Sequence, residues 1–239
     1  MRRRCLNQPE GFVYFLRLVC VWRGQGNGHF VNLTGEGEMI PLPVVVGEKA
    51  GIEVTEHGHI RVNDRLETTA PNVWAVGECA GSPYFTHVSE NDFHANLNGG
   101  NRSTRDRLVP YCVFIDPPLG RVGINESQAS ADNISYRVAS LPMDAVFRPH
   151  TLSETRGFMK VLIDAHSDRI LGFAAFGPEA GELMANVQVA MLAGQPYTLL
   201  RDAVFTHPTM SEGLGMLFAR VPKRRDAAIE KREYASVSP

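Results

Sequence analysis

The chain has 239 residues, of which 44% are hydrophobic and 21% are charged, and its formal net charge is −2. This length fits one large domain or two smaller ones, and the composition is that of an ordinary globular protein. A net charge so close to zero gives no indication of binding to nucleic acid or to an anionic membrane surface.

The four cysteines are widely spaced and include no Cys-x-x-Cys pair; they are Cys5, Cys20, Cys79 and Cys112. We therefore expect neither a disulfide framework nor a structural zinc site, and a reduced, cytoplasmic chain is the default. His87 and His94 share a predicted helix but stand two turns apart, too far to hold one ion easily. The sequence predicts no metal site.

The first 40 residues give the weakest pattern, and we leave 1–40 unassigned, with a non-native N-terminus as one interpretation. Three arginines precede an apolar run over 12–22, but Arg17 interrupts it and no small-residue cleavage site follows. The run is also too short to span a bilayer. The glycines over 24–28 lack the spacing G-x-G-x-x-G, so a flexible loop is favoured over a nucleotide site.

Residues 41–106 show a clearer pattern of turns and apolar runs. The predicted elements are a β-hairpin over 52–62, a short buried strand over 72–76 and a helix from about 83 or 86 to 97. Gly99 and Gly100 are expected to end the helix. A polar, charged stretch over 101–108 then marks a boundary.

Residues 107–222 read as a self-contained α+β domain, and 223–239 as a polar tail. Asn125 stands at the N-cap of a short helix. The alternation of strands and helices favours an antiparallel sheet with helices on one face. The predicted strands cover 111–115, 121–124, 136–142, 157–163 and 170–176, and the later helices cover 179–193, 197–204 and a segment after residue 207.

The octapeptide over 205–212 carries a candidate acid/base pair. His207 stands five residues before Glu212 at the start of an amphipathic helix. Histidine is suited to proton transfer near neutral pH, and a carboxylate on one ring nitrogen fixes the tautomer. An alternative has equal weight from the residues alone: Thr209 and Glu212 have the spacing of a helix capping box. The two interpretations are compatible.

A second candidate site follows the predicted strand over 72–76. Gly77 would let the backbone approach a ligand closely, and Glu78 would lie at the sheet edge where ligands bind in doubly wound folds. The alternative is a buried strand that ends in a solvated glutamate.

Both regions resemble one family. Residues 68–81, TTAPNVWAVGECAG, resemble the second flavin-contacting motif of the FAD-dependent pyridine-nucleotide disulfide oxidoreductases, which include dihydrolipoamide dehydrogenase and mercuric reductase. Residues 109–221 resemble their C-terminal interface domain, most closely at VPYCVFIDPPLGRVGINESQA and DAVFTHPTMSE. The run SPYFTHVSENDF is similar to the mercuric-reductase-like branch, which includes the flavoprotein of bacterial reactive-chlorine resistance. The resemblance covers about 41–222.

The resemblance implies a partial α/β segment of the FAD domain followed by a dimerisation domain. It implies FAD and NAD(P)H as the cofactors of the full-length family. It assigns cofactor contacts to Gly77, Glu78, Thr86 and His87, and an acid/base role to His207, oriented by Glu212. In the family this pair serves the redox-active dithiol of the other subunit, in a homodimer.

The sequence also departs from the family pattern. The family has Asp where Glu78 stands, and this sequence contains neither the G-x-G-x-x-G loop nor a cysteine pair four residues apart. We therefore expect little flavin on this chain by itself. The functional hypotheses are an oxidoreductase that passes electrons through flavin to a disulfide or metal ion, and a non-catalytic dimerisation module pairing with itself or a full-length homologue. A pseudo-enzyme fragment is the third.

Overall fold

In the computed structural model, the described residues are 20–23, 51–71, 73–97, 103–105 and 107–224. They belong to two compact units, which divide between Arg107 and Leu108. The predicted glycine-rich loop over 24–28, the helix end at Gly99 and Gly100 and the polar tail from residue 225 onward lie outside the described residues.

The first unit contains a two-stranded antiparallel sheet of β1 (Cys20–Arg23) and β2 (Val73–Val76). A 3₁₀ turn (Gly77–Ala80) follows β2, and helix α1 spans Thr86–Leu97. The strand and helix confirm the predictions for 73–76 and 86–97. Strand β1 was not predicted, because its pairing partner lies some fifty residues along the chain. The predicted hairpin is reduced to one antiparallel bridge between Val54 and Ile60.

The second unit is built on a five-stranded antiparallel sheet with strand order β3-β4-β7-β6-β5. Its strands are β3 (Tyr111–Val113), β4 (Leu119–Gly123), β5 (Tyr136–Pro142), β6 (Phe158–Asp164) and β7 (Ile170–Phe176). Apolar residues in register form a continuous buried row across four strands: Ala139, Val161, Phe173 and Val122. This row faces the helices and confirms the α+β prediction.

Six helices accompany the two sheets in the described part of the chain, α1 in the first unit and five in the second: α2 (Glu126–Ala131), α3 (Phe147–Thr151), α4 (Ala180–Leu192), α5 (Thr198–Asp202) and α6 (Glu212–Ala219). Asn125 caps α2 as predicted, in a reciprocal capping box with Gln128. Helix α3 was not predicted, because it has five residues and contains Pro149. None of the helices in the described ranges has the length and apolarity needed to cross a membrane.

Helices α4 and α6 supply the other half of the core. Leu183 and Val187 of α4 and Leu214 and Leu217 of α6 are at most 1% exposed. Fully burying a side chain of this kind stabilises a fold by roughly 1.5–3 kcal/mol. This packing fixes the first turn of α6 against the sheet, and with it the position of Glu212, the first residue of the helix.

Candidate active site

His207 lies in the loop that leads into α6, and Glu212 is the first residue of that helix. Nδ1 of the imidazole and Oε2 of the carboxylate are 2.7 Å apart. The His207 side chain is 62% exposed, whereas that of Glu212 is 18% exposed. The pair therefore combines a nearly buried carboxylate with an imidazole open to solvent.

The position of Glu212 follows from the packing of the residue beside it. A Cβ atom on Gly213 would lie 2.8 Å from side-chain atoms of Val146 and Met159, so any larger residue at this point of α6 would have to displace them. Val146 and Met159 are fully buried. The carboxylate is thus anchored by a helix turn that the core holds in place.

The capping-box alternative is wrong. The residue before α6 is Ser211, and no side chain caps this helix. The Thr209 hydroxyl donates instead to the backbone carbonyl of Thr206, at 2.6 Å. Glu212 is directed at the imidazole, so its place at the helix start serves the pair rather than a cap.

The hydrogen bond determines what the imidazole can do. A carboxylate only accepts, so Nδ1 of His207 carries the proton, and the neutral ring presents the lone pair of Nε2. No described residue bonds Nε2. Among the described residues, Oε1 of Glu212 is the one buried side-chain nitrogen or oxygen without a hydrogen-bond partner. The arrangement can take up and release a proton at Nε2.

An aromatic contact of His207 was missed by the sequence reasoning. The ring of Phe147, at the start of α3, lies against the imidazole with 5.1 Å between the ring centroids and a tilt of 39°. The two residues are sixty positions apart. No local sequence pattern could have paired them.

The predicted cofactor residues lie around the turn after β2 in the first unit. Gly77 has φ +72°, which favours glycine, and begins the 3₁₀ turn; Glu78 follows it and is half-buried. Thr86 and His87 are exposed in the first turn of α1, and the His87 ring stacks on Phe85 at 5.2 Å. The four residues lie within eleven positions of each other in sequence.

A buried carboxylate behind this turn was also missed. Asp92 of α1 is fully buried, and its Oδ2 accepts from the Gly77 N–H at 2.9 Å and from the Ser82 hydroxyl at 2.7 Å. Its Oδ1 forms an ion pair with Arg107. Asp92 lies one turn after the buried Val88, on the same face of α1. This spacing is the sequence signal that could have predicted that Asp92 is buried.

Neither Cys79 nor Cys112 forms a disulfide, and Cys79 is buried. Burial raises the pKa of Cys112, and the nearby charge of Glu182 raises it further. A raised pKa disfavours the reactive thiolate. In the described part of the chain, no three His, Cys, Asp or Glu side chains come together as a metal site would require.

An α+β domain of this order, with an exposed His–Glu pair before its last helix, defines the interface domain of a flavin-dependent disulfide reductase. The chain belongs to the pyridine nucleotide-disulphide oxidoreductase family. The family description "pyridine nucleotide-disulphide oxidoreductase, dimerisation domain" matches residues 109–217, and "pyridine nucleotide-disulphide oxidoreductase" matches residues 39–92. Full-length members use FAD and NAD(P)H and form homodimers through the dimerisation domain.

Similar proteins come from the same family. The probable pyridine nucleotide-disulfide oxidoreductase RclA of Escherichia coli (strain K12) is 44% identical over 73% of this chain and 41% of its own length. The dihydrolipoyl dehydrogenase of Thermus scotoductus is 38% identical over 70% of this chain and 37% of its own.

A solved structure agrees with these sequence matches. The HOCl-induced flavoprotein disulfide reductase RclA from E. coli superposes with a TM-score of 0.69 at 43% identity, over 74% of this chain and 42% of that one. The chain thus spans about two fifths of the length of the relatives it matches.

Proposed function

We propose that this chain provides the acid/base half of a composite disulfide oxidoreductase site that depends on FAD and NAD(P)H. His207 is the proton donor and acceptor at Nε2, and Glu212 orients the ring. The observation that carries the proposal is the 2.7 Å pair with its open imidazole. The composite site also requires a flavin-binding glycine loop and a redox-active dithiol, which the 239 residues of this sequence do not contain.

The chemistry asked of His207 is proton management at a thiol. Reduction of a disulfide to a dithiol takes up two electrons and two protons. Nε2 of His207 accepts a proton from one thiol, which leaves the nucleophilic thiolate, and returns it when the dithiol forms again. Glu212 stabilises the imidazolium in between, because its carboxylate is held next to Nδ1. The terminal acceptor would be a disulfide or a metal ion.

The residues of the first unit fit the ring and ribityl end of a flavin. The positive φ of Gly77 gives the close backbone approach that such a ligand needs, and the Glu78 carboxylate can accept from a ribityl hydroxyl. Thr86 and His87 lie at the N-terminus of the twelve-residue helix α1, whose positive dipole end favours electron-rich ligands. Bound FAD supplies the two-electron link between NAD(P)H and the acceptor.

We further propose that the chain forms a homodimer, or a heterodimer with a full-length homologue, through the helical side of its second unit. Val189 and Leu192 of α4 are 66% and 64% exposed, and Leu199 of α5 and Met216 of α6 are also exposed. Such apolar exposure on neighbouring helices marks an interaction surface. The free thiols favour the reducing cytoplasm.

A rescue experiment tests the proposal. A full-length E. coli RclA with its own acid/base histidine changed to Gln is co-expressed with this chain, and mixed dimers are purified with two affinity tags. We expect NAD(P)H-dependent turnover to return with the wild-type chain but not with His207→Gln. His166→Gln, which changes another exposed histidine, is the matched control and should rescue. Equal rescue by His207→Gln would contradict the acid/base role.

The second candidate function, a non-catalytic dimerisation module, gives a different result in the same experiment. Mixed dimers would form, yet the wild-type chain would restore no turnover. The observation that favours this reading is the apolar exposure of Val189 and Leu192, which requires no chemistry.

A further inference from the structure

We infer that Phe147 is a positioning residue for His207: its ring holds the imidazole in the orientation that presents Nε2 to a reacting thiol. The inference rests on the proposed function for its catalytic meaning. Its structural part stands on the contact itself, in which ring centroids are 5.1 Å apart. Aromatic pairs at this separation attract each other beyond simple burial of their surface.

Core packing does not explain the place of Phe147. Its side chain is 54% exposed, and it is not among the residues of the hydrophobic core. The adjacent Val146, in contrast, is fully buried. Phe147 thus leaves an aromatic ring at the surface, where a polar residue would be expected, and the imidazole is the aromatic partner that it contacts.

The backbone beneath Phe147 is fixed to the same helix turn that carries Glu212. The methyl groups of Val146 approach Gly213 so closely that a Cβ on Gly213 would lie 2.8 Å from one of them. Val146 precedes Phe147, and Gly213 follows Glu212. The Phe147 ring and the Glu212 carboxylate therefore contact the imidazole from two segments that pack directly against each other, at Val146 and Gly213.

Two contacts restrain the imidazole more than one can. The bond from Nδ1 to Glu212 at 2.7 Å still allows the ring to rotate about that bond, because a single hydrogen bond fixes one direction. A ring packed against the imidazole opposes this rotation. An exposed side chain otherwise samples several rotamers, and ordering it in advance removes that cost from the reaction.

The test is NMR of the chain with ¹³C- and ¹⁵N-labelled histidine, with the His207 signals assigned by their loss in His207→Gln. Phe147→Leu removes the ring, and Phe147→Tyr keeps it. We expect Phe147→Leu to move the Cδ2–H and Cε1–H signals of His207 toward those of an exposed histidine. We also expect the Nδ1–H signal to broaden through faster exchange with water. Phe147→Tyr should leave both close to wild type.

Two further variants separate positioning from general effects. Phe158→Leu removes another partly exposed ring, which packs on Phe176, and should leave the His207 signals unchanged. Gly213→Ala displaces Val146 and should move the His207 signals in the same direction as Phe147→Leu. His207 signals that stay in place in Phe147→Leu would overturn the inference. The proposed function fails separately, through equal rescue by His207→Gln.

Discussion

Two carboxylates in this protein have opposite surroundings. Asp92, in the first unit, is fully buried and binds the Gly77 amide, the Ser82 hydroxyl and Arg107. Glu212, in the second unit, holds the His207 imidazole with one oxygen, while its other oxygen has no partner among the described residues.

The difference separates a structural carboxylate from one suited to chemistry. Asp92 accepts hydrogen bonds from a backbone amide, a hydroxyl and a guanidinium, none of which is a usual general acid or base. Glu212 accepts its bond from an imidazole, the side chain that most often transfers protons in catalysis. Substitutions at the first site should change stability, and substitutions at the second should change proton transfer.

The largest expected effect is on the stability of the first unit. Asp92→Ala removes the carboxylate that pairs with Arg107. Removing one partner of a buried ion pair lowers the free energy of unfolding by about 3–5 kcal/mol. Both tryptophans of the chain, Trp22 and Trp74, lie in this unit. Tryptophan fluorescence in urea therefore follows its unfolding selectively.

The matched control is Asp64→Ala, because Asp64 forms an exposed ion pair with Arg105. Exposed pairs contribute roughly 0–1 kcal/mol, so the midpoint should hardly move. If Asp92→Ala lowered the free energy of unfolding as little as the control does, the hydrogen bonds and ion pair of Asp92 would not stabilise the turn that begins at Gly77.

An intermediate effect is expected on self-association. Leu192→Asp places a charge on the exposed apolar side of α4, and burying it in a dimer should raise the dissociation constant about 100-fold, or roughly 2.7 kcal/mol. Sedimentation velocity over a concentration series measures the change. Gln195→Asp adds the same charge just beyond the helix and should leave the dimer intact. A wild-type monomer at tens of micromolar would argue against the proposed interface.

The smallest effect concerns a loop in the second unit and depends on pH. Burial alone raises the pKa of Asp164, but hydrogen bonds from the amides of His166 and Ser167, both at 2.8 Å, outweigh it and hold the pKa below its usual value. The ionised Asp164 therefore stabilises the native state above about pH 4, the usual pKa of Asp. This stabilisation is lost as the pH falls from there through the lowered pKa of the native carboxyl.

Asp164→Asn keeps an acceptor oxygen but removes the charge, and a hydrogen bond to a charged acceptor is stronger than a neutral one, so the substitution should lower the free energy of unfolding by about 1 kcal/mol at pH 7. The cost should shrink as the wild-type carboxyl becomes protonated below pH 4. Urea unfolding followed by far-UV circular dichroism at several pH values checks this. A penalty of the same size at pH 2.5 and pH 7 would show that charge is not its cause.

Local sequence patterns predicted most of the helices and strands of the fold. Strands β5 and β7 begin and end at the predicted residues, because alternation and nearby turns define both, and α4 differs from its prediction by one residue at each end. His207 and Glu212 were found for the same reason, since five residues separate them. The Thr209 hydroxyl donates to the Thr206 carbonyl and no side chain caps α6, so the capping box that the spacing allowed does not form.

Contacts between distant residues were missed. Arg107 and Asp92 lie fifteen positions apart and Phe147 and His207 sixty, and nothing near either residue indicates its partner. The short helix α3 was missed as well, because five residues that include a proline give no helical periodicity to recognise.

The most direct test of the central claim is the activity of a chimera. The part of the E. coli RclA that precedes its dimerisation domain is fused to residues 109–224 of this chain. We expect His207→Gln to lower kcat by about 10²- to 10⁴-fold, the usual contribution of general acid/base catalysis. Flavin content and dimer formation should be unchanged, and His166→Gln should be as active as the parent. A His207→Gln chimera with parental kcat would contradict the account.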